Sequence, residues 1–205
     1  SVRREGSSKF GADNKWGTFP SASLGWTISN EEFMKGITWV NNLKLRAGFG
    51  ITGVIPNNPY ESLTKYTYGS SYYYSNGTWL PGLSVSSNPN PNLRWEKSTE
   101  FNVGLDWSVL DDRLGGSIDL YNKKTTDLLF LYTVPTPPNL YNKTMANGGT
   151  MRNRGVEVLV TVVPVQNKDF EWSTTGTFSL NSNKLISLSG SIFKSDYDYF
   201  NTGTV

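Results

Sequence analysis

From Leu93 to Val109 the chain alternates between apolar and polar residues with almost no break. Leu93, Trp95, Phe101, Val103, Leu105, Trp107 and Val109 share one parity, with Lys97 and Thr99 among them. Arg94, Glu96, Ser98, Glu100, Asn102, Gly104, Asp106 and Ser108 share the other. A period of two is strand geometry, because successive side chains point to opposite faces. A strand over a soluble core runs about five or six residues; this one runs roughly seventeen. Length, an apolar face with tryptophans near its ends and a charged opposite face together predict a transmembrane barrel strand. Lys97 sits on the apolar face, where charge is costly at mid-membrane and nearly free at the interface. The end from Leu93 to about Lys97 is therefore expected to stand above the hydrocarbon.

The same pattern recurs. Ala22, Leu24, Trp26 and Ile28 oppose Ser23, Gly25 and Thr27. Leu43, Leu45, Ala47, Phe49 and Ile51 oppose Lys44, Arg46, Gly48, Gly50 and Thr52. Leu114, Gly116, Ile118 and Leu120 oppose Ser117, Asp119 and Tyr121. Val156, Val158, Val160 and Val162 oppose Glu157 and Thr161, and Trp172, Thr174, Gly176, Phe178 and Leu180 oppose Glu171, Ser173, Thr175, Thr177 and Ser179. With a leading fragment at Ser1 to Arg4, this predicts about seven strands and little helix. Ser29-Asn30-Glu31-Glu32 fits a capping box and predicts one helical turn.

Connection lengths alternate. Leu110–Arg113 and Asn167–Asp169 are tight, and Ser29–Asn42 is moderate. Val54–Asn92 and Leu131–Met151 are long and rich in Pro, Gly, Asn and Tyr. Short periplasmic turns and long extracellular loops are the barrel pattern. Leu43 then starts a strand running outward, Arg94 inward, Leu114 outward, Val156 inward and Trp172 outward. The competing architecture is a secreted soluble β-sandwich that binds glycans through its Tyr-rich loop.

Composition narrows the chemistry. The 205 residues include eleven Tyr, ten Phe and seven Trp, but no Cys and no His. Thiolate and imidazole chemistry, including catalytic triads built on histidine, cannot arise from this sequence. The net charge of +2 offers no basic footprint for nucleic acid. Mean hydropathy is negative, yet a barrel strand shows apolar character only at alternate positions. The carboxylates Glu96 and Glu100 could in principle form a glycosidase pair, but they lie on one strand with no evident cleft. No enzyme, metal or cofactor is expected. The sequons at Asn76 and Asn142 and the short turn at Asp13 and Asn14 carry no weight.

The chain resembles the SusC/RagA-type TonB-dependent outer-membrane transporters. The resemblance rests on blocks in a fixed order: Arg4-Glu5-Gly6-Ser7-Ser8-Lys9-Phe10-Gly11, Trp16-Gly17-Thr18-Phe19-Pro20-Ser21 and Gly25-Trp26. Then come Leu43-Lys44-Leu45-Arg46 with Gly48, Gly50, Thr52 and Gly53, and Asn92-Leu93-Arg94-Trp95-Glu96 with Asn102, Gly104 and Asp106. Tyr121-Asn122 with Thr125, Asp127, Leu128 and Leu129 follows, then Asn147, Gly149, Asn153, Gly155 and Glu157. The family usually carries Asp where Glu5 stands. No TonB box or plug is seen, and Asn201 to Val205 end without a terminal aromatic strand.

The resemblance implies an all-β, antiparallel transmembrane barrel segment, about seven strands of about 22. Residues 1–205 are then an internal part of one barrel domain, with plug and C-terminal strands outside it. The implied setting is the bacterial outer membrane. The implied function is uptake of oligosaccharides, peptides or similar large nutrients, under a SusD-like surface lipoprotein lid and driven by the TonB complex through the plug.

Lys44, Arg46, Arg94, Glu96, Glu100, Asp106, Asp119, Lys123 and Glu157 are expected to face the lumen, gripping the plug or lining the path. The plainer reading is a hydrated barrel wall. Gly48, Gly50, Gly104, Gly115 and Gly155 fit curvature or room for the plug. Trp26, Trp95, Trp107 and Trp172 are expected to face outward in an aromatic girdle. Tyr60, Tyr66, Tyr68, Tyr72, Tyr73, Tyr74 and Trp79 are expected to contact ligand or lid, the alternative being a self-packed loop. The second loop, with Pro135, Pro137, Pro138 and Tyr141, is a lesser candidate of the same kind.

Overall fold

Alternation of the expected kind needs a sheet with two different environments, and the structure supplies one. A computed structural model describes residues 1–188. The expectation for Asn201 to Val205 lies outside the described residues. Seven strands form one antiparallel meander: β1 (Val2–Gly6), β2 (Trp16–Thr27), β3 (Val40–Val54), β6 (Glu96–Val109), β7 (Leu114–Thr126), β10 (Thr150–Gln166) and β11 (Glu171–Ser187). Two separate hairpins fill the long connections: β4 (Lys65–Ser75) with β5 (Thr78–Ser87), and β8 (Leu129–Thr133) with β9 (Lys143–Asn147).

Register turns sequence parity into continuous rows. Leu24, Ala47, Val103, Leu120, Val156 and Leu180 lie directly opposite one another across β2, β3, β6, β7, β10 and β11. Two residues along each strand, Trp26, Leu45, Leu105, Ile118, Val158 and Phe178 form a second row. These rows are not covered: Leu24 is 79% exposed, Leu180 61% and Phe178 59%. A sandwich would bury them under a second sheet. From Phe101 to Val109 the apolar parity covers about 27 Å of strand. Tilted by roughly 40°, that approaches the roughly 25 Å apolar band of an outer-membrane barrel.

The packed apolar cluster sits elsewhere, at the long-loop end. Phe10, Phe19, Leu93 and Trp95 bury one another, with Ile51, Leu129 and Met145 against them. This corrects two expectations. The strand does not begin at Leu93, which is fully buried; β6 begins at Glu96. Trp95 is no girdle residue, being only 5% exposed, with its indole 4.9 Å from Phe10 and its Nε1 donating to the Lys15 carbonyl. The physical reason is backbone pairing. Leu93 N–H closes a turn onto Asn90, and the Asn147 side chain takes both backbone groups of Arg94. Trp26 and Trp172 remain exposed, and Trp107 is half-buried.

The helical turn is also revised. Residues Ile28–Asn30 and Glu32–Met34 form two 3-10 turns without any side-chain cap. Glu31 instead accepts a hydrogen bond from Trp26 Nε1 at 2.9 Å, so the carboxylate is used by the neighbouring strand end.

Candidate functional site

Between the two apolar rows runs a polar one on the opposite face: Gly25, Arg46, Gly104, Asp119, Glu157 and Ser179. The Arg46 guanidinium holds Asp106 through two bonds, Nε to Oδ2 at 2.7 Å and Nη2 to Oδ1 at 2.8 Å. It also reaches Asp119 at 2.9 Å. Arg46 stands on β3 and Asp119 on β7, with Gly104 of β6 between them in register. A Cβ at Gly104 would lie 2.4 Å from Asp119 Oδ1 and 2.7 Å from the Arg46 guanidinium carbon. The glycine opens the channel through which the arginine crosses a whole strand.

Lys44, Glu96, Glu100, Lys123 and Glu157 share this face by register. Lys44 lies opposite Asp106 and Lys123 opposite Glu100, which pairs opposite charges. Glu157 lies opposite Asp119, a like-charge pair that Arg46 offsets by holding Asp119. Glu96 is diverted: its Oε2 accepts from the Leu129 backbone. Arg94 precedes β6, outside the sheet, and pairs with Asp127 at 2.6 Å. A cavity of about 380 Å³ opens on this face, lined by Glu100, Asn102, Asp119, Tyr121, Lys123, Asn153 and Glu157. Asn153 Oδ1 is buried there and, among the described residues, has no hydrogen-bond partner. Asn153, which belongs to the last block of the family resemblance but not to the residues expected to face the lumen, stands on the polar face of β10 with Gly155 and Glu157.

At the long-loop end the connections lock together. Lys9 Nζ donates to the Pro56 and Asn57 carbonyls. Asn88 donates to the Tyr141 and Lys143 carbonyls and accepts from the Tyr141 N–H. Asn90 donates to the Met145 carbonyl. Short asparagine side chains imitate backbone and fasten one loop to the next.

Above this platform stands the Tyr-rich hairpin. Asn76 and Gly77, with φ of 47° and 82°, close it as a two-residue turn. Two extra residues between Tyr68 and Ser71 bulge the strand. Tyr66, Tyr68, Tyr72 and Tyr74 then face Val85, Leu83, Pro81 and Trp79. They share one side of the hairpin, and Tyr73 pairs with Leu80 on the other. All five tyrosines and Trp79 are exposed. Tyr60 is exposed too, but it stands in the connection before β4 at a φ of 61°, not in the hairpin. Among the described residues no cluster of acidic side chains suits a metal ion.

Known proteins share this arrangement. Residues 1–204 match the family model described as TonB dependent receptor-like, beta-barrel. TonB-dependent receptor P39 of Formosa agariphila is 41% identical over 204 residues, covering 99% of this chain and 18% of that protein. TonB-dependent receptor SusC of Bacteroides thetaiotaomicron is 37% identical over 212 residues, covering 97% of this chain and 20% of that protein. Among solved structures, the RagAB peptide importer in its closed-closed state superposes with a TM-score of 0.80 at 29% identity, covering 93% of this chain and 20% of that one. The chain thus spans about a fifth of the length of the relatives it matches.

Proposed function

Because the chain belongs to the TonB-dependent receptor family, as part of its outer-membrane β-barrel, we propose that it builds wall and extracellular loops of a nutrient importer. The observation that carries this reading is the sheet's two-faced register, unbroken apolar rows on one side and charged rows on the other. Lipid is the solvent of the first face and a plugged, hydrated lumen that of the second.

On the lumen side, the Arg46–Asp106–Asp119 network is a rigid, charge-balanced wall. The cavity around Lys123, Glu157 and Asn153 is where a plug or passing cargo docks, and Asn153 Oδ1, which has no partner among the described residues, accepts a hydrogen bond from it. Residues 1–205 are one internal portion of a barrel domain whose plug lies elsewhere. TonB acts through that plug, and no covalent chemistry falls to these residues.

On the outer side, the exposed aromatic face of β4 and β5 contacts a SusD-like lid or the ligand held beneath it. Tyrosine and tryptophan give wide, rather rigid contact area with a polar edge, which suits sugars and peptides alike. The cargo is an oligosaccharide, a peptide or a nutrient of similar size; the likeness to a peptide importer supports a cargo of that size.

Uptake of labelled oligosaccharide and peptide mixtures, by cells with and without the full-length gene product, tests this. Loss of one cargo class, in a manner that also requires TonB, supports the reading. Uptake unaffected by removal of TonB contradicts it.

A further inference from the structure

The apolar face does not become neutral where its belt stops. Toward the long-loop end it carries Lys124, Arg152 and Lys184 directly opposite one another on β7, β10 and β11. Arg154 lies on the same face, one alternation nearer the belt, and Lys97 occupies that face of β6. Like charges placed directly opposite destabilise a sheet. No Asp or Glu of β3, β6, β7, β10 or β11 stands on this face to offset them. Among the described residues, none of these five cations is in an ion pair, and all five are exposed. Arg152 Nε donates to Asn122 Oδ1 at 2.7 Å, which fixes the guanidinium beside β7.

A second observation says what the counter-ion carries. A depression of about 470 Å³ spans the border between belt and cations. Leu120, Val156 and Leu180 form its apolar side, and Arg152, Arg154 and Asn122 its polar side. Those three apolar residues are one of the rows that meet lipid. A free anion uses only the polar half, whereas a molecule joining an acyl chain to a phosphate fills both. Guanidinium groups match phosphate oxygens well, and cations just outside the hydrocarbon draw anionic headgroups.

We propose that this outward face binds a phosphate-bearing lipid of the outer leaflet. Its acyl chain lies along Leu120, Val156 and Leu180, and its phosphate is held by Arg152 and Arg154 with Lys124 and Lys184 beside them. The inference rests on the outer-membrane setting and on long loops facing outward, not on which nutrient is imported.

The test uses the full-length receptor in neutral detergent doped with phosphatidic acid, or with diacylglycerol of the same chains. Lipid bound per receptor is read by native mass spectrometry. Phosphatidic acid is expected to be retained at least about tenfold over diacylglycerol. That preference should vanish in the variant Lys124→Gln, Arg152→Gln, Arg154→Gln, Lys184→Gln. It should persist when Lys and Arg are exchanged at the same positions. Equal retention of the two lipids by the unmodified receptor overturns the proposal without any variant. So does a preference surviving neutralisation, or displacement of phosphatidic acid by inorganic phosphate as effective as by the lipid itself. Uptake is not the readout, so failure here is distinct from failure of the import reading.

Discussion

Arg46 and Asp119 stand two strands apart, and their side chains meet at 2.9 Å over the bare backbone of Gly104. A side chain at residue 104 cannot coexist with that contact. The Gly104→Ala Cβ would fall 2.4 Å from the carboxylate, so the variant must displace Arg46, Asp119 or both. The expected loss is about 1–3 kcal/mol of barrel stability, typical of overpacking. It is read from the unfolding midpoint of the full-length protein in detergent.

Gly11 governs the loop platform in a similar way. Its N–H donates to the Leu93 carbonyl, and an added Cβ would sit 1.6 Å from the Pro91 oxygen. Gly11→Ala should separate the β1–β2 connection from Leu93 and open the cluster of Phe10, Phe19, Leu93 and Trp95. Limited proteolysis should then cut the connection between β3 and β6 faster than in the unmodified protein. The sheet itself should keep its fold.

The aromatic hairpin makes an asymmetric prediction. Tyr72 and Tyr74 share their face with Trp79, while Tyr73 lies on the other. Replacing Tyr72 and Tyr74 together by Ala should weaken association with the lid, or uptake, by about tenfold or more. Tyr73→Ala should cost much less. Barrel stability should not change, because these rings are exposed. Equal effects from all three positions would mean that the hairpin does not present one binding face.

Charge placed on the apolar face should be penalised by depth. Leu105 lies in the middle of the belt, between Leu45 and Ile118. Thr99 lies on the same face of β6 but outside the belt, opposite Lys124. Leu105→Arg should cost about 2–4 kcal/mol and Thr99→Arg about 0–1 kcal/mol. Folding titrations in lipid vesicles measure both.

The strands were legible because each had to satisfy two solvents at once. Leu45, Ala47 and Phe49 of β3 and Val103, Leu105 and Trp107 of β6 can meet lipid only if Arg46, Gly104 and Asp106 turn away. Parity therefore fixed the faces before any pairing was known. Trp95 shows where parity misleads. Its alternation continues smoothly, yet the Asn147 side chain ends the ladder at Arg94 from 53 positions away. Nothing local marks that event. The β4–β5 hairpin carried a readable signal in Asn76-Gly77, the dipeptide of a two-residue turn. Its bulge between Tyr68 and Ser71 depends on pairing and has no counterpart in the sequence; because it inserts two residues, it keeps the alternation that sets Tyr66, Tyr68, Tyr72 and Tyr74 on one side. The charged residues were readable as a polar face. Their partners were not, because the Arg46–Asp119 contact needs the order β3, β6, β7 and the gap at Gly104.

The central claim is that the two faces of β6 meet different solvents. Residues 1–205 hold no cysteine, so in a cysteine-free background of the full-length protein single cysteines at Glu100, Phe101, Asn102 and Val103 can each carry one fluorophore. In vesicles containing nitroxide-labelled lipid, strong quenching is expected at 101 and 103 and little at 100 and 102. Quenching that fails to alternate along these four positions would contradict it.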